Sequence, residues 1–561
     1  MCANVVKESP EKRRITCFHA VFIIILGFIV YCNSLNGQFI WDDEFLIKDN
    51  RYIKSLVYIK DIFTQHIGAG AYVEHKFYRP LQLVSYLFDY SLWGENVVGY
   101  HLTNLLLHIC VALAVYKLLG LIFSSSPLSF FTSLLFIIHP IHTEAVAYIS
   151  GRADSLAALF TLLCFIFYIK QAGGHNAKTY ILLLLSYIAA LLSKEYTLIT
   201  PLLLIGYNYI FNKKIFNRGV FSVLGLAGVY LILRLSVLNF PSAPAIAQSH
   251  LFQRAPGAFV ALSQYFRLLL LPFDLHMEYG KPVFNFSDFK AALGFILAAA
   301  CLIYAFQKRE TNKLEAFAIF WFFITIAPFL NFYPLNGYMS EHWLYFPSIG
   351  FFLFAASLFE KAYTNGKYRI VSLAALAGCV IFYSCLTIRQ NVYWQRSVLF
   401  FERALKYAPG SARVYNNLAS DYILIGKNRE AITLCVKALE LDSGNPTVYY
   451  NLGKAYANTG YKQKAMASYQ EALKFKPDYL NAYNNLAALY SAGGETDRAI
   501  ELWDKAVRIE PGFALAHFNL SMVYFSKKQY ALAIKHCDKV ISLGYKVDAK
   551  FLKQLEPFRA K

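Results

Sequence analysis

Charged residues are scarce in this chain of 561 residues: Asp, Glu, Lys and Arg make up 16% of it, while 57% is hydrophobic. Soluble globular proteins carry about 25% charged residues, so a single ordinary water-soluble domain is excluded. Zinc-finger spacings, RNP-type aromatic strings and basic helices with heptads are also missing. No nucleic-acid partner is therefore expected, despite a net charge of +19. There is no Gly-rich phosphate loop, Gly-x-Ser-x-Gly elbow or dinucleotide fingerprint, and without them a cytosolic nucleotide-driven mechanism is not expected. The ten cysteines do not read as a disulfide framework. Cys17, Cys32, Cys110, Cys164, Cys301, Cys379 and Cys385 lie in apolar runs as small core residues. Cys435 and Cys537 share one phase of a repeat, three periods apart, well beyond the ~7 Å reach of a disulfide.

What is present is a two-part chain, apolar over roughly the first 390 residues and polar after that. Lys12-Arg13-Arg14 precedes an apolar stretch from about Ile15 to Leu35, long enough to span a bilayer and followed by no small-residue cleavage site. It reads as a retained first transmembrane helix with the N terminus in the cytoplasm. Further apolar runs lie near 98–120, 127–139, 153–170, 178–193, 197–212, 219–238, 290–307, 314–332, 342–360 and 370–388. About eleven spans are predicted, several of which must borrow length from their flanks. Alternate loops then carry Lys117, Lys170, Lys213 with Lys214 and Arg218, Lys308 with Arg309 and Lys313, and Lys361 with Lys367 and Arg369. That is the positive-inside pattern.

The first outer loop, 36–97, is basic too, but its spacing predicts amphipathic helices lying on the bilayer, where charge weighs less on orientation. A run from about Ala258 to Pro272 would invert every later loop if it spanned, and reads as re-entrant or interfacial.

From Arg389 the chain repeats with a period of 34: Asn417-Leu418, Asn451-Leu452, Asn485-Leu486 and Asn519-Leu520 are in register. So are Tyr422, Tyr456, Tyr490 and Tyr524, then Gly426, Gly460 and Gly494, then Ala431, Ala465, Ala499 and Ala533. Small residues where two helices meet and aromatics between neighbouring pairs make this the tetratricopeptide pattern. The expected fold is all-α: a transmembrane bundle over 1–388, then an extracytoplasmic solenoid of about four repeats with capping helices over 389–561.

Two segments carry the chemistry. Trp41-Asp42-Asp43-Glu44 follows the first span and crowds three carboxylates, which repel one another and raise at least one pKa. It reads either as a solvated acidic turn or as the site of a general base that takes a proton from a hydroxyl nucleophile. His139-Pro140-Ile141-His142-Thr143-Glu144 and Ser150-Gly151-Arg152-Ala153-Asp154 fall where the third span turns into the fourth. Pro140 breaks the helical register that a zinc site would need, so a polar pocket for phosphate or sugar is the stronger reading, with an interfacial loop as the plain alternative. His101, Asn104 and His108 share one side of the second span. Arg79, Lys194-Glu195, Arg234, Arg267 and Glu341-His342 complete the set, and a guanidinium among leucines calls for an anion such as phosphate.

These strings resemble those of the transmembrane and tetratricopeptide-repeat O-mannosyltransferases and their bacterial relatives. The resemblance rests on Phe39-Ile40-Trp41-Asp42-Asp43, Tyr78-Arg79-Pro80-Leu81, the whole of His139 to Asp154, Ser193-Lys194-Glu195, and Glu341-His342-Trp343-Leu344-Tyr345. It implies the GT-C glycosyltransferase architecture and a polyprenyl-phosphate hexose donor, with transfer of the hexose to protein hydroxyls. It places Asp43, with Asp42 close behind, as base or acceptor-orienting group. Arg79, His101, His139, His142, Glu144, Arg152, Asp154, Lys194, Glu195, Arg267, Glu341 and His342 would surround the lipid phosphate and sugar. The reaction would be an inverting single displacement. At Glu341-His342 the family's arginine is replaced by histidine.

The reading is then a membrane glycosyltransferase whose repeats hold a protein acceptor along Tyr415, Asn416, Tyr449, Tyr450, Tyr483, Asn484 and Asn519. Membrane lipid is its other partner. No cofactor and no metal site are expected, with the part of a divalent ion left open. The short tail favours a bacterial cytoplasmic membrane with periplasmic repeats, or the endoplasmic reticulum in a eukaryote. A catalytically silent envelope scaffold and a lipid-linked glycan ligase or polymerase are the rivals.

Overall fold

The computed structural model describes residues 10–559 except 72, 74–75, 173–175, 241–250, 281–282, 332–334 and 336. The chain divides into two compact units, Met1–Arg403 and Ala404–Lys561, and every regular element among the described residues is helical, as the sequence predicts.

In the first unit α1 (Pro10–Tyr31) leads into a loop with only short helices, α2 (Ile59–Thr64) and α3 (Pro80–Trp93) among them. Then follow α4 (Val97–Phe123), α5 (Ser126–Ile138), α6 (Thr143–Val146), α7 (Arg152–Ala172), α8 (Ala177–Leu191), α9 (Thr200–Ile210) and α10 (Arg218–Leu235). The unit continues with α11 (Leu251–Leu270), α12 (Phe289–Lys308), α13 (Lys313–Ile326), α14 (Ser348–Thr364) and α15 (Arg369–Tyr393). Local chemistry sets several boundaries. Asn96, Ser125 and Asn217 cap α4, α5 and α10 by accepting N–H bonds from Val98, Leu128 and Val220. α4 stops at Ser124, which adopts the left-handed conformation.

Each of the eleven predicted apolar runs overlaps a helix, and among the described residues six helical segments, not eleven, have the length and composition to cross a membrane. They are Arg13–Asn36, Val97–Phe123, Ile149–Ala172, Arg218–Leu235, Phe289–Lys308 and Arg369–Tyr393. Large apolar side chains such as Phe18, Ile25, Ile232, Ile296, Ile370 and Ile381 are exposed on these helices, as lipid-facing positions must be. The protein is a membrane protein.

One rim of the bundle gathers the polar segments. α15 meets α1 there through Asn391, whose side chain donates to Val30 O at 3.0 Å, and meets α5 through Thr387, which donates to Ile138 O. The segment around Ala258 to Pro272 belongs to α11. Arg254 in its first turn donates to Asn331 O, beyond the end of α13. After the helix, Leu275 O accepts from Gln390 in the last turn of α15, and the His276 N–H bonds Glu341. Residues at the start of α11 and just after its end thus bond segments of the same rim.

The second unit stacks four helix pairs, α17–α18 (Ala412–Leu424, Asn428–Leu441), α19–α20 (Pro446–Asn458, Lys462–Phe475), α21–α22 (Leu480–Ala492, Thr496–Ile509) and α23–α24 (Ala514–Ser526, Tyr530–Ser542). The half-repeat α16 (Ser397–Tyr407) precedes them and α25 (Ala549–Arg559) closes the stack. Ala431, Ala465, Ala499 and Ala533 are each fully buried where the two helices of a pair approach. Gly426, Gly460 and Gly494 turn each pair with φ between +81° and +85°. In the fourth repeat Lys528 takes that place at φ +61°.

Candidate functional site

The acidic turn is built from its backbone outwards. Trp41 sits in the left-handed region, φ +51°, which costs a bulky residue roughly 1–3 kcal/mol. Its ring stacks on Tyr148 at 5.8 Å, and Tyr148 stacks on Trp394 at 5.5 Å. The Asp42 N–H donates to the Tyr148 hydroxyl at 3.2 Å, which ties the turn to the segment between α6 and α7. Asp43 is 0% exposed. Its Oδ1 accepts from the Ser150 N–H at 2.9 Å and from the Ser150 hydroxyl, and its Oδ2 accepts from the Ile40 N–H at 3.1 Å. Burial pushes the Asp43 carboxyl up to about 7, against the pull of those donors and helped by the neighbouring Asp42 charge. Asp42 itself is half-buried.

A second group lies where the loop meets the end of α8. Arg79 donates Nε and Nη2 to one oxygen of Glu195, both at 3.2 Å, and the Tyr78 N–H reaches the other oxygen. Burial pushes the Glu195 carboxyl up, but the charge and hydrogen bonds of Arg79, a backbone hydrogen bond and the Lys194 charge together hold it below its ordinary value. Lys194 Nζ bridges both oxygens of Asp154 at 2.7 and 2.8 Å, and burial draws the Lys194 ammonium down even so.

The third group precedes α14. His342 donates its backbone N–H to Glu144 at 3.0 Å, and its Nδ1 lies 2.7 Å from the other Glu144 oxygen. The His342 side chain keeps 25% exposure against 5% for Glu144. Next to it Glu341 is enclosed, accepts from the Tyr279 hydroxyl at 2.7 Å and from the His276 N–H, and is raised well above the carboxylate range by burial and by the nearby Glu144 charge.

Other residues singled out in the sequence are held by the scaffold. Arg152 and Asp89, both with 0% side-chain exposure, form an ion pair at 2.6 Å. Arg152 also donates to Asn104 Oδ1 at 2.6 Å, to Ser85 Oγ and to Tyr100 O, with its guanidinium over the Tyr86 ring. His139 accepts from the Ile141 N–H and faces Leu269 O, while His142 bridges Phe136 O and Ser348 Oγ. His108 bonds the Tyr345 hydroxyl and faces Ile137 O. His101 is buried against Gly37, where a Cβ would come within 2.5 Å of its Nε2. Arg267 is exposed, bonds Gln264 and lies near enough to His276 to act on it electrostatically; Arg234 reaches Lys76 O beside Tyr78. No group of three or more His, Cys, Asp or Glu with metal-holding geometry occurs among the described residues.

Known proteins resemble the chain as a whole. Protein O-mannosyl-transferase F38B6.6 of Caenorhabditis elegans is 27% identical over 436 residues, 73% of this chain and 61% of that protein. Human protein O-mannosyl-transferase TMTC3 is 25% identical over 449 residues, 70% of this chain and 48% of that protein. For human TMTC4 the figures are 25% over 480 residues, 72% and 64%. The chain is a relative of the protein O-mannosyl-transferases. The resemblance read from the motifs holds, and the chain spans between 48% and 64% of the length of these curated relatives. Tetratricopeptide-repeat family models match residues 419–460, 446–479, 468–501 and 514–543. Among solved structures, the crystal structure of MamA is 30% identical over 26% of this chain and 86% of its own, with a TM-score of 0.25.

Within the repeats, several of the residues expected to receive a protein acceptor bond one another. Asn451 donates to Asn416 at 2.9 Å, and Asn519 donates to Asn484 at 2.7 Å, which also accepts from Trp503. Tyr483 is buried and donates to Pro477 O. Tyr449 stacks on Phe475, Tyr450 packs beside Tyr479, and Tyr415 is half-buried against the first repeat's core.

Sequence reasoning passed over Tyr148, Asp89 and Trp394. Tyr148 lay inside a quoted motif, and its hydroxyl was the available signal. Asp89 is a lone acid in an amphipathic stretch, and nothing local points to Arg152 as its partner.

Proposed function

We propose that the protein is a membrane glycosyltransferase that moves a hexose, mannose by its kinship, from a polyprenyl-phosphate sugar to Ser or Thr hydroxyls of a protein acceptor. The observation that carries the reading is the acidic turn, pinned by Ser150, Ile40 and Tyr148 beside clustered cations at one rim of a membrane bundle. Asp42 is the carboxylate an acceptor can reach, since Asp43 is enclosed; we therefore give Asp42 the base and Asp43 the task of holding the turn. Asp42 takes the hydroxyl proton as the oxygen attacks the anomeric carbon from the face opposite the lipid phosphate. The bond from that carbon to the phosphate oxygen breaks, its electron pair leaves with polyprenyl phosphate, and the configuration inverts. Arg79 and His342, which retain exposure, are the groups we place against the departing phosphate. Arg152, His139 and His142 keep the walls in place. The lipid-linked sugar supplies its own activation, and no cofactor enters the scheme.

The basic alternate loops, which carry Lys117, Lys170, Lys213, Lys308 and Lys361 and form a basic rim opposite the acidic turn, support a cytoplasmic N terminus, with the first outer loop and the repeats across the membrane. The repeats recruit the acceptor. The test is transfer of labelled mannose from polyprenyl-phosphate mannose to a Ser/Thr-rich peptide by the full chain in proteoliposomes. Label should appear on the peptide, and Asp42→Asn should slow its appearance by about 10²–10⁴-fold. Label on a lipid-linked polymer instead would identify a glycan ligase. An undiminished rate in a folded Asp42→Asn variant would remove the base from the scheme.

A further inference from the structure

Away from the acidic turn, at the other end of the bundle, a groove of about 360 Å³ runs between α14 and α15. Ala355, Phe359 and Ala362 form one wall, and Val371, Ser372 and Ala375 the other. The alanines leave the space, and Ser372 donates its hydroxyl to Phe359 O at 2.8 Å, so the floor offers no unspent polar group. Leu358 and Val371 are 53% and 64% exposed along the edges, so the groove opens to the lipid side.

Its mouth lies at the turn from Lys361 to Arg369, on the basic rim. Lys367 Nζ sits 5.4 Å over the ring of Tyr368, which itself lines the groove. The Arg369 guanidinium lies 4.9 Å over Tyr363 and donates to the Tyr363 hydroxyl at 3.1 Å. The nearby acids are engaged elsewhere, Glu315 with Lys361 and Tyr304, and Glu360 with Ser125. Among the described residues neither Lys367 nor Arg369 forms an ion pair with a carboxylate.

An apolar trough that ends at two cations matches an amphiphile with an anionic head. A free phosphate would leave the trough unused, and a zwitterionic lipid would bring an ammonium of its own against the two cations. We propose that α14 and α15 seat a diacyl phospholipid with an anionic headgroup, one acyl chain in the groove and the phosphate on Lys367 and Arg369. Basic pockets between membrane helices on the cytoplasmic side are known to hold such headgroups, at about 1 kcal/mol per cation. The seated chain fills the space between the last two helices of the bundle.

The experiment is native mass spectrometry of the full chain released from detergent carrying equal phosphatidylglycerol and phosphatidylcholine. Phosphatidylglycerol should be retained in preference, and Lys367→Gln and Arg369→Gln should each lower its retention about fivefold, the factor that ~1 kcal/mol represents. Ala375→Leu fills the groove from an exposed position and should lower retention of both lipids while the charges stay. Equal retention of the two lipids by the unaltered protein would overturn the proposal. So would either charge variant keeping phosphatidylglycerol at the original level, or Ala375→Leu leaving it unaffected.

Discussion

Replacing Asp89 by Asn or Arg152 by Met asks whether the buried guanidinium is a structural clamp or a ligand for the donor phosphate. Both side chains of the pair are fully enclosed and 2.6 Å apart. Removing one partner from a buried ion pair costs about 3–5 kcal/mol, because the other charge is left uncompensated. Asp89→Asn stays near the lower figure, ~3 kcal/mol, since Asn104, Ser85 and Tyr100 O still hold the guanidinium. Arg152→Met is worse, ~5 kcal/mol, because it strands Asp89 with Thr103 as its remaining donor and takes the partner from Asn104 Oδ1. Combining Arg152→Met with Asp89→Leu removes both charges and should recover more than half of that loss. Thermal unfolding of the full chain in detergent reads these differences, with donor binding measured on the same samples. If Arg152→Met unfolds like the unaltered protein and loses donor binding alone, the clamp assignment is wrong and Arg152 faces the phosphate.

Ser150→Ala takes one hydroxyl donor from Asp43, worth about 1.5–3 kcal/mol to a charged acceptor, so the pH at which the Asp43 carboxyl ionises should move up by about one to two units, read from thermal unfolding against pH. The sign follows from burial: the Asp43 carboxyl is already raised to about 7, so the stability tied to its protonated form is full below the ordinary carboxylate range. That stability is lost as the pH rises through about 7, and Ser150→Ala carries the loss to higher pH. Lys528→Gly relieves a left-handed lysine at a position where three repeats have glycine, and should stabilise the repeats by about 1 kcal/mol, read by chemical denaturation. Gly460→Ala should cost about the same in the opposite direction. A Cβ at Gly294 would fall 1.9 Å from Phe259 O, so Gly294→Ala should drive α11 and α12 apart and lower stability by at least 1–3 kcal/mol or so.

The helical class, the apolar runs and the repeat register were all legible in the sequence, because each is written in a local period. The same holds for the acidic turn, since three adjacent carboxylates need no tertiary context to be noticed. What adjacency could not convey is which charge meets which. Lys194 and Glu195 are neighbours in the chain, yet they bond Asp154 and Arg79 respectively, and those pairings depend on how α7, α8 and the first loop converge. The resemblance set Arg152 beside the lipid phosphate, and Asp89 meets it with a counter-charge from 63 residues upstream. Likewise exposure, which separates Asp42 from Asp43, is a property of the fold and leaves no trace in a dipeptide.

The amide contacts between repeats have a consequence for how the solenoid comes apart. Asn416 with Asn451, and Asn484 with Asn519, each join one helix pair to the next, so no pair can melt without taking an amide partner from its neighbour. Cooperativity is therefore wired across the boundaries rather than within the pairs. An in-frame excision of residues 428–461, one full period, brings Asn485 to the place of Asn451 opposite Asn416 and leaves Asn484 with Asn519, whereas an excision one residue shorter throws the register out of phase.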